Sequence, residues 1–65
     1  MHKRLARNLK KWRKVRGLSQ EALARKVKFS LPYVGRIEIG QHDPPLSTLA
    51  RLAKGLGITV SELVR

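Results

Sequence analysis

Few residues in this chain have the types and spacing that catalysis or metal binding requires. The two histidines, His2 and His42, lie far apart, and the sequence contains no cysteine. A structural zinc site needs about four clustered ligands. The four acidic residues form no paired-carboxylate pattern suited to acid–base chemistry, and no Ser-His-Asp arrangement is indicated. We therefore expect no enzymatic activity, no metal site, no cofactor and no small-molecule ligand.

The basic side chains offer a different chemistry, which is the recognition of phosphate and of base edges. Fifteen Lys and Arg residues stand against four Asp and Glu, a formal net charge of +11. Such an excess favours a polyanionic partner, with nucleic acid first and an anionic membrane surface second. Eight of these cations, and no acid, fall within the first sixteen residues: Lys3, Arg4, Arg7, Lys10, Lys11, Arg13, Lys14 and Arg16.

Length and composition predict one folded domain, residues 1–65. A hydrophobic content of 42% is too high for a disordered basic tail. A chain this short buries only about 60% of the surface that its unfolded form exposes. The apolar runs are too short to span a bilayer, and no secretory signal is evident. These features predict a small cytoplasmic protein that makes no use of a membrane.

Helical periodicity divides the chain into five segments, so that we expect an all-α fold. The first covers about 3–16, with Leu5, Leu9 and Trp12 on its inner face. The second covers about 20–27, after Ser19 as its N-cap.

The other three helices follow after short turns. Ser30 is the expected N-cap of the third helix, which ends at Gly40. The fourth helix covers about 45–55, and the residues at helical spacing on one of its faces are nearly all apolar. We therefore expect the other helices to pack around it. Thr59 and Glu62 form a capping box that starts a short fifth helix.

The segment from residue 19 to residue 40 has the spacing of a helix-turn-helix. Two helices joined by so short a turn must cross steeply. Their contact positions are apolar at the required intervals, and Ala24 is small enough to let the helices approach. The other contact residues are Leu23, Val27, Phe29, Val34 and Ile37.

Here the chain resembles the DNA-binding domains of phage repressors and Cro proteins, a large helix-turn-helix family. The matching segments together cover nearly the whole chain. They are 16–24, 33–40, 44–49 and 52–58. The resemblance implies a compact five-helix domain whose third helix enters the major groove of double-stranded DNA. It also implies the functional residues that follow.

Base contacts are implied for the N-terminal part of the third helix, at Leu31, Pro32, Tyr33, Gly35 and Arg36. Arg36 is the side chain able to fork onto guanine, whereas apolar groups contact a thymine methyl. We therefore predict a T-rich half-site with one guanine, or partial reliance on DNA shape. Tyr33 has an alternative position at the edge of the core.

Phosphate contacts are implied for two groups of residues. Gln20 is the first residue of the second helix and matches a family residue that binds phosphate. Gln41 and His42 match the family loop that binds the neighbouring phosphates. The predicted set also includes Arg25, Lys28 and Ser30.

Two further positions bear on structure. Arg13 and Glu38 match a family ion pair between the first and third helices, and an unneutralised acid there would repel phosphate. Lys28 stands where the family usually has glycine, so that either its backbone is strained or the turn closes differently.

The predicted function is sequence-specific regulation of transcription, most simply repression, by a homodimer on a palindromic operator. Val60, Leu63 and Val64 are the candidate dimer interface, although Leu63 could instead close the core. The alternative is an antitoxin-type protein that binds a toxin and regulates its own operon. A membrane-active cationic helix is a weaker alternative, because its apolar residues are needed for the core.

Overall fold

A computed structural model describes residues 2–65, which form five α-helices and no strand, as predicted. The helices are α1 (His2–Val15), α2 (Gln20–Val27), α3 (Leu31–Glu38), α4 (Leu46–Leu56) and α5 (Val60–Val64). Each boundary lies within about two residues of the sequence-based expectation, which is the usual uncertainty at helix ends.

Side-chain caps fix where three of the helices begin. Ser19 and Ser30 each accept a hydrogen bond from the backbone N–H three residues ahead. The predicted capping box of α5 is present, with Thr59 Oγ1 accepting from the Glu62 N–H and Glu62 Oε1 accepting from the Thr59 N–H. The backbone hydrogen bond from Thr59 holds the pKa of the Glu62 carboxyl below its usual range.

The helices pack in a closed ring rather than around one central helix. The principal contacts are α1 with α3 and α5, α2 with α3 and α4, and α4 with α5. The expectation that the others surround α4 is therefore wrong. Leu46 is 70% exposed and Ala50 is also exposed, so that α4 buries one face like its neighbours. Trp12 is half-buried against the core, which all five helices supply.

Three polar side chains each bind the C-terminal carbonyls of a helix other than their own. Asn8 caps α5 through the Leu63 carbonyl at 2.9 Å, and Arg16 Nε caps α4 through the Leu56 carbonyl at 2.7 Å. Arg51 caps α2. A cation at a helix C-terminus satisfies unpaired carbonyls and complements the helix dipole. Both arginines therefore stabilise the fold.

The α2–α3 turn passes through a left-handed residue that is not glycine. Lys28 has φ 63° and ψ 41°. Arg51 Nη2 donates to the carbonyls of Val27 at 2.6 Å and Lys28 at 3.1 Å. Its guanidinium also lies 4.1 Å from the Phe29 ring centroid. The turn thus closes through a left-handed Lys28, and Arg51 holds it.

Glycine at position 28 is expected to raise the free energy of unfolding by about 0.5–1 kcal/mol, because Lys28→Gly removes the Cβ clash of the left-handed backbone. Urea denaturation followed by circular dichroism measures this change. Lys28→Ala is the matched control, because it removes the same charge but keeps the Cβ. Equal stabilities of the two variants would contradict strain at this position.

A second glycine allows α2 and α4 to approach closely. A Cβ on Gly55 would overlap Val27 Cγ1, and the stiff β-branched side chain has little freedom to move away. Glycine inside a helix costs about 1 kcal/mol in propensity relative to alanine. The close approach of α2 and α4 explains why residue 55 of α4 is glycine.

Candidate nucleic-acid interface

The outer face of α3 carries four of the five base-contact candidates. Leu31, Pro32 and Arg36 are exposed, and Gly35 is half-exposed with open space where its Cβ would lie. The opposite face is fixed, because Val34 and Ile37 are fully buried. The helix therefore presents one face that is largely uncharged and has Arg36 as its single cation.

Tyr33, the fifth base-contact candidate, is half-buried. Its hydroxyl lies 3.2 Å from Thr48 Oγ1, and its ring packs edge-on against Phe29 and His42, with centroids 5.1 and 5.0 Å apart. The contact with Thr48 places the hydroxyl of Tyr33 beside α4. This geometry favours the alternative, packing at the edge of the core, and the base contact of Tyr33 stays a prediction.

A buried ion pair joins α1 to the C-terminal end of α3. Arg13 Nε donates to Glu38 Oε2 at 2.6 Å and Nη2 donates to Oε1 at 3.1 Å, in a two-point contact. Arg13 Nη1 also donates to the Leu18 carbonyl at 2.7 Å. Gln20 Nε2 donates to Glu38 Oε1 at 3.0 Å. The network therefore connects α1, the following turn and the start of α2 to α3, and it neutralises the one acid of α3.

The phosphate-contact candidates lie in three places. Lys28 and Ser30 are exposed at the turn before α3, where the Ser30 hydroxyl already accepts from a backbone N–H. Gln41 is exposed in the loop after α3, and His42 is half-buried against Tyr33. The remaining two lie on α2, where Gln20 is half-buried in the ion-pair network and Arg25 lies exposed, 3.9 Å from Glu21.

The loop after α3 is also in contact with the start of α1. His2 Nε2 lies 3.4 Å from Asp43 Oδ2, and the His2 carbonyl would be 3.8 Å from a Cβ on Gly40. Within residues 2–65, His, Cys, Asp and Glu form no group of three or more able to hold a metal ion. His2 therefore positions the N-terminus of α1 beside this loop.

The C-terminal candidates for a dimer interface do not all lie at the surface. Leu63 is fully buried and belongs to the core, so that its assignment to an interface is wrong. A short last helix needs one large side chain to hold it on α1 and α4. Val60 and Val64 are half-buried at the edge of the core.

The fold has two crossing helices joined by a short turn, and the second of them exposes its outer face. Together with the large excess of positive charge, these features define a helix-turn-helix DNA-binding domain. The chain belongs to the helix-turn-helix domain family, which matches residues 4–65.

Known proteins similar to this chain are transcription regulators. An HTH-type transcriptional regulator of Sinorhizobium fredii, y4dJ, is 36% identical over 98% of this chain and 83% of its own length. The immunity repressor of Bacillus phage phi105 is 42% identical over 92% of this chain, which spans 42% of that repressor.

Solved structures show the same fold. The restriction-modification controller protein C.AhdI from Aeromonas hydrophila superposes with a TM-score of 0.92 at 35% identity, over 95% of this chain and 94% of that one. The chain is therefore a helix-turn-helix DNA-binding regulator. None of the helices in residues 2–65 is long and apolar enough to cross a membrane.

Proposed function

We propose that this protein is a repressor that binds a palindromic operator as a homodimer, with α3 of each subunit in the major groove. The observation that carries the proposal is the outer face of α3, where Arg36 is exposed among small and apolar residues. An immunity repressor among its relatives supports repression as the outcome.

Arg36 is the residue that specifies sequence in this proposal. A guanidinium in the major groove forks onto O6 and N7 of guanine, while Leu31 and Pro32 offer apolar contacts to thymine methyl groups. The helix is held rigidly for this task, because its inner face is buried and the Arg13–Glu38 pair fixes its C-terminal end. The operator half-site is therefore T-rich with one guanine.

Phosphate contacts on both sides of α3 set its depth and register in the groove. The exposed Lys28 and Ser30 precede the helix, and Gln41 follows it. Gln20 and Arg25 add contacts from α2, and His42 adds one from the loop. Such contacts position the protein without reading sequence.

Dimerisation follows from the small number of bases that one α3 can read. Two subunits related by a two-fold axis double the contacts and require half-sites about one helical turn apart. Val60 and Val64 are the proposed interface residues, because each retains some exposed apolar surface near the end of the chain. Sedimentation that shows a monomer both free and on a palindromic duplex would refute the dimer.

Selection of bound duplexes from a random pool is the experiment that tests this function. We expect an inverted repeat with one guanine in each T-rich half-site. Arg36→Ala should lose about 1–3 kcal/mol of discrimination at that guanine. Arg25→Ala is the matched control, because loss of a phosphate contact weakens binding uniformly across sequences. A guanine preference that survives Arg36→Ala would refute the role of Arg36.

A further inference from the structure

One surface of α1 carries five cations at helical spacing. Lys3, Arg7, Lys10, Lys11 and Lys14 follow one another at intervals of four, three, one and three, and all five are exposed. This α1 cationic stripe is about 16 Å long, at 1.5 Å of rise per residue.

The stripe lies beside the C-terminal end of α3, the helix that is proposed to bind DNA. It forms one side of a shallow groove of about 470 Å³, whose other side is Glu38 and Ile39 at the end of α3. Ile39 is 62% exposed. The stripe begins where His2 meets Asp43 in the loop after α3, which carries phosphate-contact candidates. The stripe thus lies near the loop that carries Gln41 and His42 and near the C-terminal end of α3.

The cations of the stripe have no acidic partner within the part of the chain that the structure describes. The side chains that contact acids within residues 2–65 are others, namely those of His2, Arg13 and Arg25. No acid occurs in α1 itself. Like charges three and four residues apart on a helix repel each other and destabilise it. An anionic ligand would relieve this repulsion, which within residues 2–65 is offset at Lys11, whose Nζ lies 5.5 Å from the Trp12 ring centroid.

We propose that the α1 cationic stripe binds the phosphate backbone of DNA beside the half-site that α3 reads. This inference rests on the proposed function, because it extends the same interface. Phosphates on one strand follow at about 3.4 Å of helix axis, so that a 16 Å stripe spans roughly five of them. The contacts carry no sequence information and extend the footprint.

A membrane surface is the less suitable partner for the same charges. A helix that lies in a bilayer interface needs a free apolar face opposite its cations. In α1 that face is used by the core, since Leu5 is 4% exposed and Leu9 is fully buried. Among residues 2–65, the exposed large apolar side chains near the stripe are Val15 and Ile39, and the buried face of α1 is not available to a lipid surface.

The test compares two variants with the same loss of charge. The stripe variant is Arg7→Gln, Lys10→Gln and Lys14→Gln. The control variant is Lys26→Gln, Lys54→Gln and Arg65→Gln, which removes one arginine and two lysines that are exposed outside α1. Affinity for a random-sequence duplex of about 30 base pairs, three helical turns, is measured between about 50 and 200 mM salt. Circular dichroism verifies that both variants remain folded.

We expect the stripe variant to lower the slope of log affinity against log salt by about 2–3 for each bound subunit, since each lost phosphate contact removes about 0.9. The control variant should change it by less than one such contact. The operator selected from a random pool should be the same for the stripe variant and the parent. Equal slopes for the stripe and control variants would overturn the inference and leave the proposed function intact.

Two other results separate the possible failures. If the parent protein does not bind duplex DNA even at low salt, the proposed function fails, and the inference fails with it. Vesicles of phosphatidylcholine and phosphatidylserine provide the comparison with a membrane. If the stripe variant loses binding to these vesicles but not to the duplex, the partner is an anionic lipid surface and the inference is wrong.

Discussion

Replacement of Arg13 by methionine is expected to lower the free energy of unfolding by about 3–5 kcal/mol. Arg13→Met leaves the Glu38 carboxylate without its cation, and that side chain has no exposed surface. Gln20 alone would remain as a hydrogen-bond donor to it. For 65 residues the whole stability is about 3–10 kcal/mol, at 0.05–0.15 kcal/mol per residue. Urea denaturation followed by circular dichroism measures the loss.

Two further variants show whether the loss comes from a buried uncompensated charge. Lys14→Met is the control, because it makes the same substitution at the next residue, which is exposed, and should change stability by at most about 0.5 kcal/mol. Arg13→Met combined with Glu38→Met removes both charges and should recover most of the loss. A double variant as unstable as the sum of the single variants would show that the two side chains act independently.

The helices were predictable from the sequence because their signals are local. Ser19, Ser30 and Thr59 cap helices in the structure where the sequence places N-caps, and apolar residues at helical spacing form the core. The family was predictable too, because the helix-turn-helix spacing extends over one continuous segment. A cap or a periodic stripe depends on residues within a few positions of each other.

What the sequence did not predict depends on residues that are distant along the chain. Arg51 binds the end of α2, twenty-four positions away, and no local pattern distinguishes it from a solvated arginine. Gln20 was assigned to phosphate alone, whereas its amide also donates to Glu38. The same cause explains why the sequence left two positions open for Tyr33 and placed Leu63 at an interface, since the direction of each side chain depends on the packing of other helices.

The basic side chains of this chain thus have different roles, which the net charge alone does not distinguish. Arg13, Arg16 and Arg51 bind an acid or helix-end carbonyls inside the fold. Arg36 lies on the face proposed to read bases. Most of the lysines are exposed, and the excess charge they carry is available to attract phosphate. Affinity and stability should therefore respond to salt in opposite directions.

Duplex affinity is expected to fall by roughly 10³–10⁵ between 50 and 200 mM salt, for a dimer that makes about 6–10 phosphate contacts. The same salt should raise the thermal midpoint of the free protein slightly, because it screens repulsion within the +11 excess. Fluorescence anisotropy of a labelled duplex and circular dichroism melts over one salt series measure both quantities. Affinity and midpoint falling together would show that loss of binding reflects unfolding. An affinity that falls less than about tenfold would mean that few phosphates are contacted, and specificity would then depend mainly on Arg36 and the apolar face of α3.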